Sequence, residues 1–137
     1  MHHSARLHAT AFAQQYLGFQ ETRSFIEIGS RNVNGGLRDV FQPLGGAYCG
    51  LDMQAGPGVD VVLDDPYKLP LGDGVASLAA CSSVFEHSEF FWELFVEMVR
   101  VVACCTGAAI RVQVAERAPP GSTSCQSLVA VSPGARL

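Results

Sequence analysis

Charge is what this chain has least of. Charged side chains make up 16% of its 137 residues, and the formal net charge is only −4. No basic stripe is present to neutralise phosphates, so the composition argues against a nucleic-acid reader. Nor is there a polybasic segment to anchor the chain to an anionic membrane surface. Long hydrophobic runs are missing too. The longest apolar stretch, Phe90 to Cys105, is broken by Glu93, Glu97 and Arg100. It falls short of the ~20 apolar residues that a membrane-spanning helix requires. The first twenty residues lack the apolar core and small-residue cleavage site of a signal peptide. A soluble, cytoplasmic protein with no membrane partner is the expectation.

Paired cysteines are absent as well. The five thiols, Cys49, Cys81, Cys104, Cys105 and Cys125, are odd in number and form no C-x-x-C pair. Neighbours such as Cys104 and Cys105 cannot be bridged without strain. Reduced thiols and no disulfide framework follow. His2 and His3 sit at the extreme N-terminus, and no Cys or His pairs have zinc-ligand spacing, so no metal is expected.

What is present is apolar content, at 48% enough for one core and one domain. Ala9 to Leu17 reads as a helix stopped by Gly18. Ser24 to Ile28 reads as a buried first strand, and Gly29 to Gly36 as a polar loop. Leu37 to Phe41 is a short helix. Ala47 to Met53, Val59 to Leu63 and Val75 to Val84 read as strands two to four, the last apolar on both faces like a central parallel strand. Ser88 can cap a helix running to about Val102, with Phe91, Leu94, Phe95, Met98 and Val102 on its core face. Ala108 to Val114 alternates as a fifth strand. After Glu116 the chain turns rich in Pro, Gly, Ser and Ala, and only Leu128 to Val131 resembles a strand. Residues 1–116 are therefore expected to form the domain and 117–137 a mostly unstructured tail. Alternating strands and helices predict an α/β fold with ligands at the carboxyl ends of the strands.

Three of those strand ends are acidic: Glu27-Ile28-Gly29-Ser30, Leu51-Asp52-Met53 and Leu63-Asp64-Asp65. A nucleoside cofactor lying across them needs close backbone approach at the first, where glycine is useful. At the second it needs a carboxylate to accept from both ribose hydroxyls, and at the third an acceptor for the adenine amino group. Each acid has a plainer reading. Glu27 can accept from loop amides, Asp52 and Asp64-Asp65 can serve turns, and Glu86-His87 can begin the next helix.

The run Phe25-Ile26-Glu27-Ile28-Gly29-Ser30-Arg31-Asn32-Val33-Asn34-Gly35 resembles motif I of the class I S-adenosylmethionine-dependent methyltransferases. The likeness covers about Phe25 to Val102 and is nearest the broad type 11 group. By this resemblance, Glu27, Gly29 and Ser30 lie along the methionine and ribose side of S-adenosylmethionine. Asp52 is the ribose-binding acid, Met53 lies beside the adenine, and Asp65 holds the adenine amino group. The run Cys81-Ser82-Ser83-Val84-Phe85-Glu86-His87 resembles the end of the family's fourth strand. It brings Ser82 to the cofactor, with His87 and Glu86 as base and helper when the acceptor must lose a proton. The implied fold is a Rossmann-like, mostly parallel sheet in the order 3-2-1-4-5 with flanking helices.

The sequence departs from the family in three places. Ala76 and Ser77 replace an aromatic and an Asp before strand four. Val102 to Ala108 lacks the usual Pro-Gly-Gly turn. Only 23 residues follow Val114, so the family's last helix and C-terminal antiparallel strands are expected to be missing, as in a truncated or degenerate member. An exposed strand-five edge would then be open to pairing with a second copy. The resulting expectation is methyl transfer to a small-molecule or glycan-type acceptor. The alternative is an inactive remnant, or a cofactor-binding module acting through protein contacts. A nicotinamide-dependent dehydrogenase is disfavoured, because Gly-Ser-Arg-Asn-Val-Asn-Gly is not G-x-G-x-x-G.

Overall fold

A computed structural model describes residues 3–16, 24–33, 35–102, 110–117 and 126–133. Helix α1 spans His3–Tyr16, strand β1 Ser24–Ile28, and helix α2 Arg38–Phe41, which runs into a 3₁₀ turn at Gln42–Leu44. Strands β2 (Ala47–Asp52), β3 (Val61–Val62) and β4 (Leu78–Ser82) follow. A 3₁₀ turn at Phe85–His87 then leads to α3 (Phe91–Val102), β5 (Ile110–Arg117) and β6 (Gln126–Pro133).

These strands form one sheet in the order β3-β2-β1-β4-β6-β5. β1 pairs parallel with β2 and with β4, and β2 pairs parallel with β3. The chain thus has the expected α/β fold, with a mostly parallel sheet and flanking helices. β5 lies outside β4 as expected, but one place further out. Between them runs β6, antiparallel to both.

β6 corrects the expectation of an unstructured tail and of a sheet without antiparallel strands at its C-terminal end. The Pro, Gly and Ser around Leu128 to Val131 suggested disorder, but these four residues are apolar on both faces. Leu128, Val129, Ala130 and Val131 are each at most 2% exposed, and such a segment finds its cover only inside a sheet. β5 carries Arg111, Gln113, Glu116 and Arg117 among its apolar residues, a composition suited to an edge. Residues 103–109, where a loose turn was expected, and the remaining tail segments 118–125 and 134–137 lie outside the described residues.

Alternation along the central strands builds a core on each face. Phe25 of β1, Leu78 and Ala80 of β4, and Leu128 and Ala130 of β6 pack with Ala9, Phe12 and Ala13 of α1 and with Leu37 and Phe41. Ile26, Ile28, Ala79, Cys81, Val129 and Val131 point the other way, onto Leu94, Met98, Val101 and Val102 of α3. Full burial of each large aliphatic side chain contributes about 1.5–3 kcal/mol, so both layers are needed. α3 differs from its expected face in two respects: Phe91 is 47% exposed, and Val101, outside that expected face, is fully buried. Among the described residues, no helix is long and apolar enough to cross a membrane.

Two strands are shorter than their sequence suggested. β3 holds only Val61–Val62, and β4 begins at Leu78 rather than Val75. The residues ahead of β4 are occupied otherwise. The amides of Gly74 and Ala76 donate to Arg100 and Val101 carbonyls at the end of α3, and that of Ser77 donates to the Ser24 carbonyl. They tie the helix to the sheet instead of lengthening a ladder.

Candidate functional site

The carboxyl ends of β1, β2 and β4 open onto a cleft of about 310 Å³, whose lining includes Gly29, Asp52, Met53, Tyr67, Ser83 and His87. It forms because the chain turns sharply at the end of β1. The Gly29 and Ser30 amides both donate to the Leu51 carbonyl, at 2.9 and 3.1 Å. Gly29 has φ +74°, and a Cβ there would stand 2.4 Å from Val84 Cγ2. Only glycine accommodates both the left-handed backbone and that neighbour.

Asp52 ends β2 with its carboxylate held by two backbone amides. Its Oδ2 accepts from Arg31 N and its Oδ1 from Gln54 N, each at 3.0 Å. A carboxylate oxygen has two acceptor directions, so both oxygens keep capacity on their remaining side. Apolar surface from Met53, Leu63 and Pro66 lies in the same cleft. Opposite β2, the chain leaves β4 through Ser83, whose φ of +56° is the sole positive value of a non-glycine residue among those described. Left-handed backbone at a non-glycine residue costs about 1–2 kcal/mol.

Glu27 sits elsewhere. It lies on the Phe25 face of β1 and is 5% exposed, where it accepts from Leu37 N at 3.1 Å and from the Tyr48 hydroxyl at 2.6 Å. Burial pushes its carboxyl above the ordinary range, against the lowering effects of these two bonds and of Arg38. Burial and the facing carboxylate also raise the Tyr48 phenol. The Arg38 guanidinium stacks 4.7 Å above the Tyr48 ring and pairs with Asp60. Asp60 also accepts from Gly50 N at 2.7 Å, which together with Arg38 holds its carboxyl below the usual range. This network fastens α2 and the β2–β3 turn to the sheet, so Glu27 supports the loop rather than lining the cleft.

The other expected residues divide. Gly29, Asp52, Met53 and His87 come together in the cleft. Ser30 is 1% exposed, with its hydroxyl unpartnered among the described residues. Asp65 is exposed and accepts from Tyr67 N at 2.8 Å across Pro66, so it shapes a turn. Ser82 and Glu86 stand outside the cleft lining, beside Ser83 and His87 which are in it.

Sequence reasoning passed over Tyr67 and Ser83. Tyr67 fastens the loop after β3 to the start of α3: its hydroxyl accepts from Phe90 N at 3.3 Å and lies 3.5 Å from Ser88 Oγ. Its signal was an aromatic residue directly after an Asp-Pro turn. Ser83 carried no local signal for its left-handed backbone.

No protein-family model matches the chain, and no curated protein matches it.

Proposed function

We propose that the chain binds S-adenosylmethionine in this cleft and transfers its methyl group to a small-molecule acceptor. One observation carries the reading: a strand-end carboxylate, Asp52, borders an apolar slot at the carboxyl ends of parallel strands. Ligands of open α/β sheets lie at such strand ends.

The residues present fit the cofactor. Asp52 would accept from the two ribose hydroxyls, using the acceptor directions that its backbone amides leave open. Met53, Leu63 and Tyr67 would flank the adenine ring, and Gly29 would let the backbone come close. Glu27 and Asp65, given cofactor roles by the resemblance, are reassigned here to holding the loop and the turn. Held by these residues, the cofactor would supply an electrophilic methyl group on its sulfonium sulfur.

The protein's part in such a displacement is chiefly alignment. His87, in the wall of the cleft, takes the acceptor's proton. A ring nitrogen of imidazole can accept a proton, which suits that role.

Calorimetric titration with S-adenosylhomocysteine and with NAD tests the reading. Binding of the former alone supports it; binding of NAD alone, or of neither, overturns it. A methylation assay on His87→Gln then separates base from bystander. Loss of about 10²–10⁴ in kcat with unchanged S-adenosylhomocysteine affinity is expected.

A further inference from the structure

A cleft of about 310 Å³ is at the small end of the roughly 300–1,000 Å³ range for a single organic ligand. With the methyl donor filling it, an acceptor would be met at its open mouth, and the mouth has a distinctive chemistry.

Tyr67 stands in the cleft wall, and a series of ring contacts runs outward from it. Tyr67 meets Phe90 at 5.5 Å, Phe90 meets Trp92 at 5.6 Å, and Trp92 meets Phe91 at 5.3 Å between centroids. Three consecutive aromatics at the start of α3 remain in solvent: Phe90 is 39% exposed, Phe91 47% and Trp92 52%. Single exposed apolar side chains are ordinary, but a contiguous patch beside a cleft marks a binding surface.

The charge around the patch selects what covers it. Glu89 and Glu93 are exposed among these rings, and among the described residues neither belongs to an ion pair. From Leu69 to Val99 the chain contains no Lys or Arg. An anionic ligand or anionic lipid surface would be repelled here. A cation is attracted twice, by the carboxylates and by the ring faces.

We infer that this acid-rimmed aromatic mouth is the acceptor subsite, and that it takes an organic amine, bound as its ammonium ion on an aromatic or other apolar body. The inference rests on the methyl-donor reading of the cleft. His87, in the lining of the cleft, takes one ammonium proton so that the nitrogen lone pair becomes available.

Trp92 is the chain's single tryptophan, so its fluorescence reports on the patch directly. Phenethylamine and 3-phenylpropionate, of similar size and opposite charge, are titrated into the full chain. The expected result is a saturable change in Trp92 emission with phenethylamine, and about tenfold weaker binding of the carboxylate. In the double variant Glu89→Gln, Glu93→Gln that preference should fall to about twofold or less, with S-adenosylhomocysteine affinity unchanged. The inference is overturned by equal or tighter binding of the carboxylate, or by a preference that survives the double substitution. It is also overturned if Trp92 responds only to protein concentration or to phosphatidylcholine vesicles, which would make a second copy or a membrane the cover. Carboxylate-dependent amine binding without S-adenosylhomocysteine binding would keep the cation site and refute the donor reading, so the two failures are told apart.

Discussion

The Tyr48 hydroxyl donates at 2.6 Å to Glu27, a carboxylate 5% exposed in the middle of the parallel sheet. The pair explains how a buried acid is tolerated at a strand position that otherwise calls for an apolar residue. Two donors, the phenol and the Leu37 amide, meet its oxygens, and Arg38 lies close enough to offset part of the charge. Removing one partner of a buried, hydrogen-bonded charge costs about 1–3 kcal/mol or more. Tyr48→Phe is accordingly expected to lower the unfolding free energy by that amount, read as a lower urea midpoint with an unchanged m-value.

Glu27 also sets a pH dependence. Its folded pKa is raised above the ordinary value of 4.5, so between the two values the folded state holds a proton that the unfolded state has released. Stability is therefore full below about pH 4.5 and declines as pH rises toward the raised folded value. Asp60 and Glu97 are shifted the opposite way, the first chiefly by the Gly50 amide and the second chiefly by Arg100. Their contribution is present above the ordinary carboxylate range and lost as pH falls through it. Urea midpoints measured from pH 3 to 8 should pass through a maximum in the mildly acidic range. In Glu27→Gln the decline on the neutral side should shrink while the acid limb persists. An unchanged neutral limb would remove Glu27 as its cause.

Gly29 is fixed by two separate constraints, a left-handed backbone and the nearness of Val84 Cγ2, 2.4 Å from where a Cβ would stand. Gly29→Ala should cost about 2–4 kcal/mol, combining backbone strain and overpacking. Adding Val84→Ala should relieve the overpacking part alone. A double-mutant cycle of urea midpoints checks this: the expected coupling is about 1 kcal/mol or more in the rescuing direction, and strict additivity would mean that the loop simply moves aside.

Arg100 latches the loop between β3 and β4. Its guanidinium donates to the Leu69 and Leu71 carbonyls at 3.1 and 2.8 Å and to Asp73 and Glu97 at 2.7 Å. Glu97 completes the latch by accepting from Leu69 N at 2.9 Å. The side chain is 30% exposed, so solvent screens part of the attraction and the loss in Arg100→Ala is put at about 1–2 kcal/mol. The local effect should be the larger one: faster amide exchange or proteolysis at Leu69 to Gly74, with α3 still protected.

The sequence made some of this legible and hid the rest for identifiable reasons. β1 could be read because Ser24 to Ile28 is a short β-rich run ending at glycine, and a parallel strand buried on both faces needs little else. α3 could be read because Phe91, Leu94, Phe95, Met98 and Val102 recur at near-helical spacing, although Phe91 lies in solvent. β6 was masked by its neighbours: composition averaged over Ala118 to Leu137 signals disorder, whereas burial acts on Leu128 to Val131 individually. Asp52 and Glu27 looked alike in the sequence as acids near strand ends. Glu27 precedes the end of its strand by one residue, which sends its side chain into the layer beneath α2. That parity is visible in sequence, since successive side chains on a strand alternate faces. Tyr67 owes its place to tertiary contacts with Phe90 and Ser88, which no local pattern encodes.

Asp52 offers the sharpest test of the cleft, because its two roles can be separated. The carboxylate anchors the Arg31 and Gln54 amides and, on the proposed reading, accepts from ribose hydroxyls on its outer side. Asp52→Asn keeps one oxygen acceptor of the same size but loses the charge and the second acceptor. Hydrogen bonds to a charged group are worth about 1.5–3 kcal/mol, so S-adenosylhomocysteine should bind roughly 10- to 100-fold more weakly by calorimetry. The loss should be smaller for 2′-deoxy-S-adenosylhomocysteine, which lacks one of the hydroxyls at issue. If Asp52 served only the turn, the two ligands would lose affinity equally, in step with a fall in the urea midpoint. A loss that is larger for the ribose-bearing ligand than for its 2′-deoxy form, beyond the share set by any fall in the urea midpoint, therefore assigns the carboxylate to the ribose.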